Sequence, residues 1–239
     1  MIKLFSDGAD FNGIIKAAED EKIVGFTTNP TLMKQAGILN YKDFALDVIA
    51  HLSKVRPETC LSLEVFADEP NEMFEQANVI DSWGKQFNYS VYVKIPVMTT
   101  DGTSTIDLVK KLHESNVKVN VTAVFTYGQV LNLTNVLTKD VSSIISIFSG
   151  RIADAGYDPS NTVRRAVGLK NNPKTEILWA SSREAYNYYD AYYAGADIIT
   201  MTPDLIKKVK KFGKDLTEFS KETVQMFYND ALASGYRID

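Results

Sequence analysis

Short apolar runs rich in β-branched residues recur along the chain, separated by amphipathic stretches with helical spacing. The runs are Ile2 to Asp7, Ile23 to Asn29, Cys60 to Phe66, Ser90 to Pro96, Val117 to Val124, Val141 to Phe148, Thr175 to Ser181 and Ala196 to Thr202. Such alternation is the signature of βα units and a parallel sheet. Between the runs, Asp43-Phe44-Ala45-Leu46-Asp47-Val48-Ile49 and Asp107-Leu108-Val109-Lys110-Lys111 carry the apolar spacing or the acid-to-base order of surface helices. Pro203 fits the first turn of a helix after the last run, and Gly213 is placed to close it. Eight units in 239 residues match the roughly 250 residues of a (β/α)8 barrel. No Gly-rich dinucleotide fingerprint follows the first run, which weakens an open doubly wound sheet. The expected fold is therefore α/β, a (β/α)8 TIM barrel filling residues 1–239 as a single domain. Residues 215–239 form a C-terminal helical extension whose Phe219, Val224, Phe227 and Tyr228 are more apolar than a solvent-facing tail requires.

Alternation along each strand tells which side chains enter the barrel, because neighbouring residues point to opposite faces. In Val91-Tyr92-Val93-Lys94-Ile95 the valines and Ile95 make an apolar outer face, so Lys94 points inward with Tyr92 and Ser90. By the same parity Ser62 and Glu64 point inward from the third run, and Asn120 and Thr122 from the fifth, where Val119, Val121 and Ala123 point outward. Gly25, Thr27 and Asn29 share one face of the second run, and Phe5 and Asp7 one face of the first. A lysine, two carboxylates, an amide and hydroxyls in a barrel interior cost several kcal/mol if left dry and unpaired. They need one another, water or a substrate, and barrel enzymes place their chemistry at these C-terminal strand ends. Desolvation disfavours an ammonium, so an inward lysine among apolar walls is expected to keep more of its neutral, carbonyl-attacking form. The competing reading is a lysine paired with Asp7 or Glu64 for structure alone.

Charge and composition then remove other classes. Thirty acidic against twenty-six basic residues give a net charge of -4, which leaves no basic excess for a nucleic-acid backbone. The single Cys60 excludes an internal disulfide, and the two histidines, His51 and His113, both fall in helical patterns, so a histidine metal site or a Ser-His-Asp triad is not expected. The opening Met-Ile-Lys-Leu-Phe-Ser-Asp meets a carboxylate before any long apolar run, and no membrane span is visible, so a cytoplasmic protein is expected.

Five segments carry a resemblance: Gly25-Phe26-Thr27-Thr28-Asn29-Pro30-Thr31-Leu32, Tyr92-Val93-Lys94-Ile95-Pro96, Asn120-Val121-Thr122-Ala123-Val124-Phe125, Ser146-Ile147-Phe148-Ser149-Gly150-Arg151-Ile152 and Ala180-Ser181-Ser182-Arg183. In these the chain resembles the transaldolases, in particular the short bacterial branch that also holds fructose-6-phosphate aldolase. The resemblance implies transfer of a dihydroxyacetone unit from a ketose phosphate to an aldose phosphate, as in the pentose phosphate pathway. It makes Lys94 the Schiff-base nucleophile and Asp7 the acid/base that drives carbon–carbon cleavage. Glu64 and Thr122 would hold a proton-shuttling water. Thr27, Asn29, Asn120, Ser146 and Phe148 would line the substrate, and Arg151, Ser181 and Arg183 would take its phosphate, since guanidinium forks match phosphate oxygens. With the imine as electron sink, no metal or organic cofactor is implied. The transaldolases carry phenylalanine at the place of Phe148 and a carboxylate at that of Glu64, where the aldolases carry tyrosine and an amide, so the resemblance favours the transferase over an aldolase or a noncatalytic sugar-phosphate-binding barrel. The short branch further implies a homo-oligomer, a pentamer or decamer. The aromatic stretch Tyr186 to Tyr193 matches no segment of the family and suits either a subunit contact or core packing.

Overall fold

A computed structural model describes residues 2–138 and 140–238. Eight strands, β1 (Lys3–Asp7), β2 (Ile23–Thr27), β3 (Cys60–Glu64), β4 (Ser90–Pro96), β5 (Val119–Val124), β6 (Ser143–Ile147), β7 (Thr175–Trp179) and β8 (Ile198–Met201), pair in sequence order. All pairings are parallel, and β1 pairs with β8 to close a barrel. Helices α1 (Phe11–Ala18), α2 (Pro30–Gln35), α3 (Tyr41–Val55), α4 (Pro70–Gln86), α5 (Ile106–Glu114), α6 (Tyr127–Val136), α7 (Ser149–Asp154), α8 (Pro159–Leu169), α9 (Asn187–Ala194) and α10 (Pro203–Val209) alternate with the strands, and α11 (Leu216–Ser234) follows them. The fold is a (β/α)8 TIM barrel with a C-terminal helix.

Local chemistry starts several of these helices. Asn29, Asn40 and Asp158 accept hydrogen bonds from backbone N–H groups of the first turns of α2, α3 and α8, satisfying donors with no partner in the helix. Pro30, Pro70, Pro159 and Pro203 open their helices, where a missing N–H costs nothing. One boundary differs from the sequence reading. The helix after β8 ends at Val209, and Gly213, at φ +85°, closes the turn beyond it.

The outward faces of the strands make the main core, with Leu61, Leu63, Val91, Val93, Ile95, Val119 and Val121 packed against the helices. The lumen has its own apolar layer of Phe5, Tyr92, Ile144, Leu178, Ala180 and Ile198. Gly25 makes that layer possible, because a Cβ there would lie 2.5 Å from the Phe5 ring. Above it the inward positions turn polar, with Thr27, Ser62, Lys94, Asn120, Thr122, Ser146 and Thr200 all buried. In contrast, α11 has no buried residue; Leu216, Phe219, Val224, Phe227 and Tyr228 are exposed along it. The tyrosine-rich stretch is split: Tyr189 stacks on Phe212 with ring centroids 5.1 Å apart, whereas Tyr186, Tyr192 and Tyr193 are exposed. Among the described residues no helix is long and apolar enough to cross a membrane.

Candidate active site

A cavity of about 410 Å³ opens at the C-terminal ends of the strands. Asp7, Thr27, Asn29, Glu64, Lys94, Thr122, Ser146, Phe148, Arg151, Ser181 and Arg183 line it, so eleven of the twelve residues expected from the sequence meet in one place. Lys94, 5% exposed, sits low in it. Its Nζ donates to the Thr28 carbonyl at 2.7 Å and pairs with Glu64 Oε2 at 2.8 Å. The amine thus meets a carboxylate and a carbonyl as well as apolar walls. Glu64 is itself fixed through its backbone, whose carbonyl accepts from the Tyr41 hydroxyl at 2.9 Å.

Asp7 Oδ1 accepts from the Thr27 hydroxyl at 2.7 Å, and that hydroxyl contacts Thr200 Oγ1 at 2.6 Å. Burial raises the Asp7 carboxyl above its ordinary range and outweighs the Thr27 hydrogen bond and the Lys94 charge, which act the other way; Glu64 adds to the rise. An enclosed carboxyl shifted toward neutrality is suited to exchange protons with a bound hydroxyl.

The twelfth residue, Asn120, lies beneath the cavity. Its carboxamide is held between neighbours, donating to Ser62 Oγ at 3.1 Å and accepting from the Ser146 hydroxyl at 2.7 Å, so it orients Ser146 from below. Next to it the fifth strand departs from the expected alternation. Thr122 and Ala123 together face the single Ser146 in the pairing with β6, and Ala123 has φ +56°. This is a β-bulge, which re-aims side chains at barrel rims. It corrects the outward assignment of Ala123, which lines the cavity. It also leaves the buried Thr122 hydroxyl facing the cavity without a partner among the described residues. Such a hydroxyl costs about 1–3 kcal/mol unless something bonds to it.

At the mouth, Asn29 uses its carboxamide oxygen to cap α2 through the Leu32 N–H at 2.9 Å, which leaves its amide hydrogens for the cavity. Phe148 packs against Phe125, with centroids 5.8 Å apart, and the Arg151 guanidinium lies 5.7 Å from the Phe148 ring centre. Arg151 makes no ion pair among the described residues, whereas Arg183 turns Nε and Nη2 to Asp154 at 3.1 and 2.5 Å. Ser181 is held at φ +63°, and its carbonyl oxygen would lie 1.7 Å from a Cβ on Gly150, so only glycine allows α7 to approach the end of β7.

Comparison with known proteins agrees with this geometry. Residues 4–237 match the family model described as Transaldolase/Fructose-6-phosphate aldolase. The chain belongs to the transaldolase/fructose-6-phosphate aldolase family. Two curated relatives, each named a probable transaldolase, are similar over most of their length. One, from Nitrosopumilus maritimus, is 34% identical over 212 residues, covering 87% of each chain. The other, from Rhizorhabdus wittichii, is 32% identical over 239 residues, covering 99% of this chain and all of its own. Among solved structures, an N-acetylneuraminate lyase from Mycoplasma synoviae superposes with a TM-score of 0.55 at 12% identity, covering 96% of this chain and 80% of its own, a likeness of fold alone. For this family member, sequence reasoning missed Thr31, Leu32, Gln35, Ser182, Thr200 and Thr202, which also line the cavity. The α2 residues carry no alternation to place them, but Thr200 and Thr202 share inward parity with Ile198 and could have been found by extending the parity argument to β8.

Cys60 plays no part in this cavity. Burial pushes its thiol up to about 12, which disfavours the thiolate.

Proposed function

We propose that this enzyme is a transaldolase that moves a dihydroxyacetone unit between sugar phosphates through a Schiff base on Lys94. The observation that carries this reading is the buried Lys94 amine, 2.8 Å from Glu64 and in the same cavity as Asp7, whose carboxyl burial has shifted upward. Glu64 is placed to take the ammonium proton, and the free amine attacks the ketose carbonyl carbon. Glu64, with the unpartnered Thr122 hydroxyl, then returns a proton through water so that the carbinolamine oxygen leaves as water. Asp7 removes the proton of the hydroxyl on the far carbon of the bond to be broken, so that this carbon becomes the aldehyde of the departing sugar. That bond's electrons flow into the iminium, the aldose phosphate departs, and the three-carbon enamine stays on Lys94. An incoming aldose phosphate reverses these steps, with Asp7 giving back its proton. Arg151, with Ser181 and Arg183, would hold the phosphate at the mouth, and Asn29 and Ser146 the hydroxyls between.

Phe148 supports transfer over free aldol cleavage, because its ring faces the cavity without an O–H that could protonate the enamine. Borohydride reduction in the presence of fructose 6-phosphate tests the covalent step; the expected result is a three-carbon adduct on Lys94. Product analysis with and without erythrose 4-phosphate tests the transfer. Release of dihydroxyacetone without acceptor as fast as transfer with it would make the protein an aldolase.

We also propose a homo-oligomer, a pentamer or decamer, in which neighbouring subunits cover the apolar side chains that α11 leaves exposed.

A further inference from the structure

We propose that Thr200 is a positioning residue that holds the Thr27 hydroxyl as a donor to Asp7 and thereby sets the protonation of Asp7. The inference rests on the proposed acid/base role of Asp7 and on the order of two short contacts. Each threonine hydroxyl has one hydrogen and two lone pairs, and an ionised carboxylate only accepts. The Thr27 hydrogen therefore goes to Asp7 Oδ1 at 2.7 Å, and the 2.6 Å contact with Thr200 must run from the Thr200 hydrogen to the Thr27 oxygen. Both threonines are buried at the cavity wall, and the first bond polarises the second.

The chain spans the seam of the barrel. Thr27 lies opposite Asp7 in the pairing of β2 with β1, and Thr200 reaches it from β8, on the other side of β1. When Asp7 takes a proton on Oδ1, the order can reverse without any heavy atom moving: Asp7 donates to Thr27, Thr27 donates to Thr200, and the Thr200 hydrogen turns to the cavity that Thr200 lines. Each oxygen of the threonines keeps its own hydrogen; the only proton gained or lost is the one Asp7 exchanges with the sugar hydroxyl. Thr200 thus offers the cavity an acceptor while Asp7 is a base and a donor while it is an acid. The charged groups acting on Asp7 are Lys94 on β4, which favours its anion, and Glu64 on β3, which disfavours it; β2 and β8 contribute the two hydroxyls.

The test is a carbon-13 carboxyl NMR titration of Asp7, which needs no substrate, together with the pH dependence of kcat/KM. Thr200→Val is expected to move the Asp7 titration and the acid limb of the profile to higher pH by about half a unit, because the Thr27 donor is weakened. Thr200→Ser should restore the wild-type values. Thr27→Val should shift them further, and the double variant should match Thr27→Val, since the two hydroxyls act in series. An unmoved Asp7 titration in Thr200→Val, or shifts that add in the double variant, overturns the proposal. If Thr200→Val does not fold, Thr200→Ala removes the same hydroxyl and carries the same expectation. Failure of borohydride trapping beside a shifted Asp7 titration would instead reject the Schiff-base chemistry while leaving the relay in place.

Discussion

At the scale of single residues, Lys94 and Asp7 were legible in the sequence, which left Glu64 as one of two partners open to Lys94 but gave no sign of Thr200. Strand parity points both inward, because Val91, Val93 and Ile95 need the helix-facing side and Lys94 is left the other. The Glu64 ion pair and the Thr200 contact depend on how neighbouring strands are staggered, which no single strand encodes. Lys94→Arg should lower turnover by at least about a thousandfold, since arginine supplies no neutral amine; retained activity in a coupled assay would point to another lysine. Asp7 makes a second prediction, about stability. Its carboxyl is raised in the fold, so the stability it contributes is fully present below the unfolded value near 3.8 and is lost as pH rises through the higher folded value. Asp7→Asn keeps an acceptor for Thr27 and removes the buried charge. Its melting temperature should exceed that of the wild type at pH 7, with the gain shrinking as pH falls toward 4, while activity is lost. Phe148→Tyr should raise free dihydroxyacetone formation from fructose 6-phosphate, measured without acceptor.

Among the elements, the pattern of apolar runs located every strand, yet it did not show where β5 breaks its own alternation. Thr122 and Ala123 read as one inward and one outward residue, and only the pairing with Ser146 makes them a bulge. Local sequence likewise gives no sign that Gly150 is a point of contact, since its demand comes from Ser181, on another strand end. Gly150→Ala should force α7 away from β7, at about 1–3 kcal/mol of stability by analogy with other overpacked sites. Because Arg151 sits on α7, the KM for a phosphorylated donor should rise more than kcat falls; an unchanged KM would separate α7 from phosphate binding.

For the whole molecule, eight repeated units in this length made the barrel readable, whereas the tail could be recognised only as too apolar for water. Its exposure gives that surplus a place. Solution scattering at micromolar concentration should report an oligomer, and Phe227→Asp should reduce its size; a wild-type monomer would refute the assembly. The apolar layer of Phe5, Tyr92, Ile144, Leu178 and Ile198 has a kinetic consequence of its own. It plugs the lumen from below, so among the described residues the cavity opens at the C-terminal strand ends, and the sugars of the proposed transfer pass through that mouth. The first product must then clear the same opening before the second reactant can come in. Initial-rate plots against one substrate at several fixed levels of the other should therefore be parallel lines, the mark of a double-displacement order, and intersecting lines would mean that both sugars occupy the chamber together.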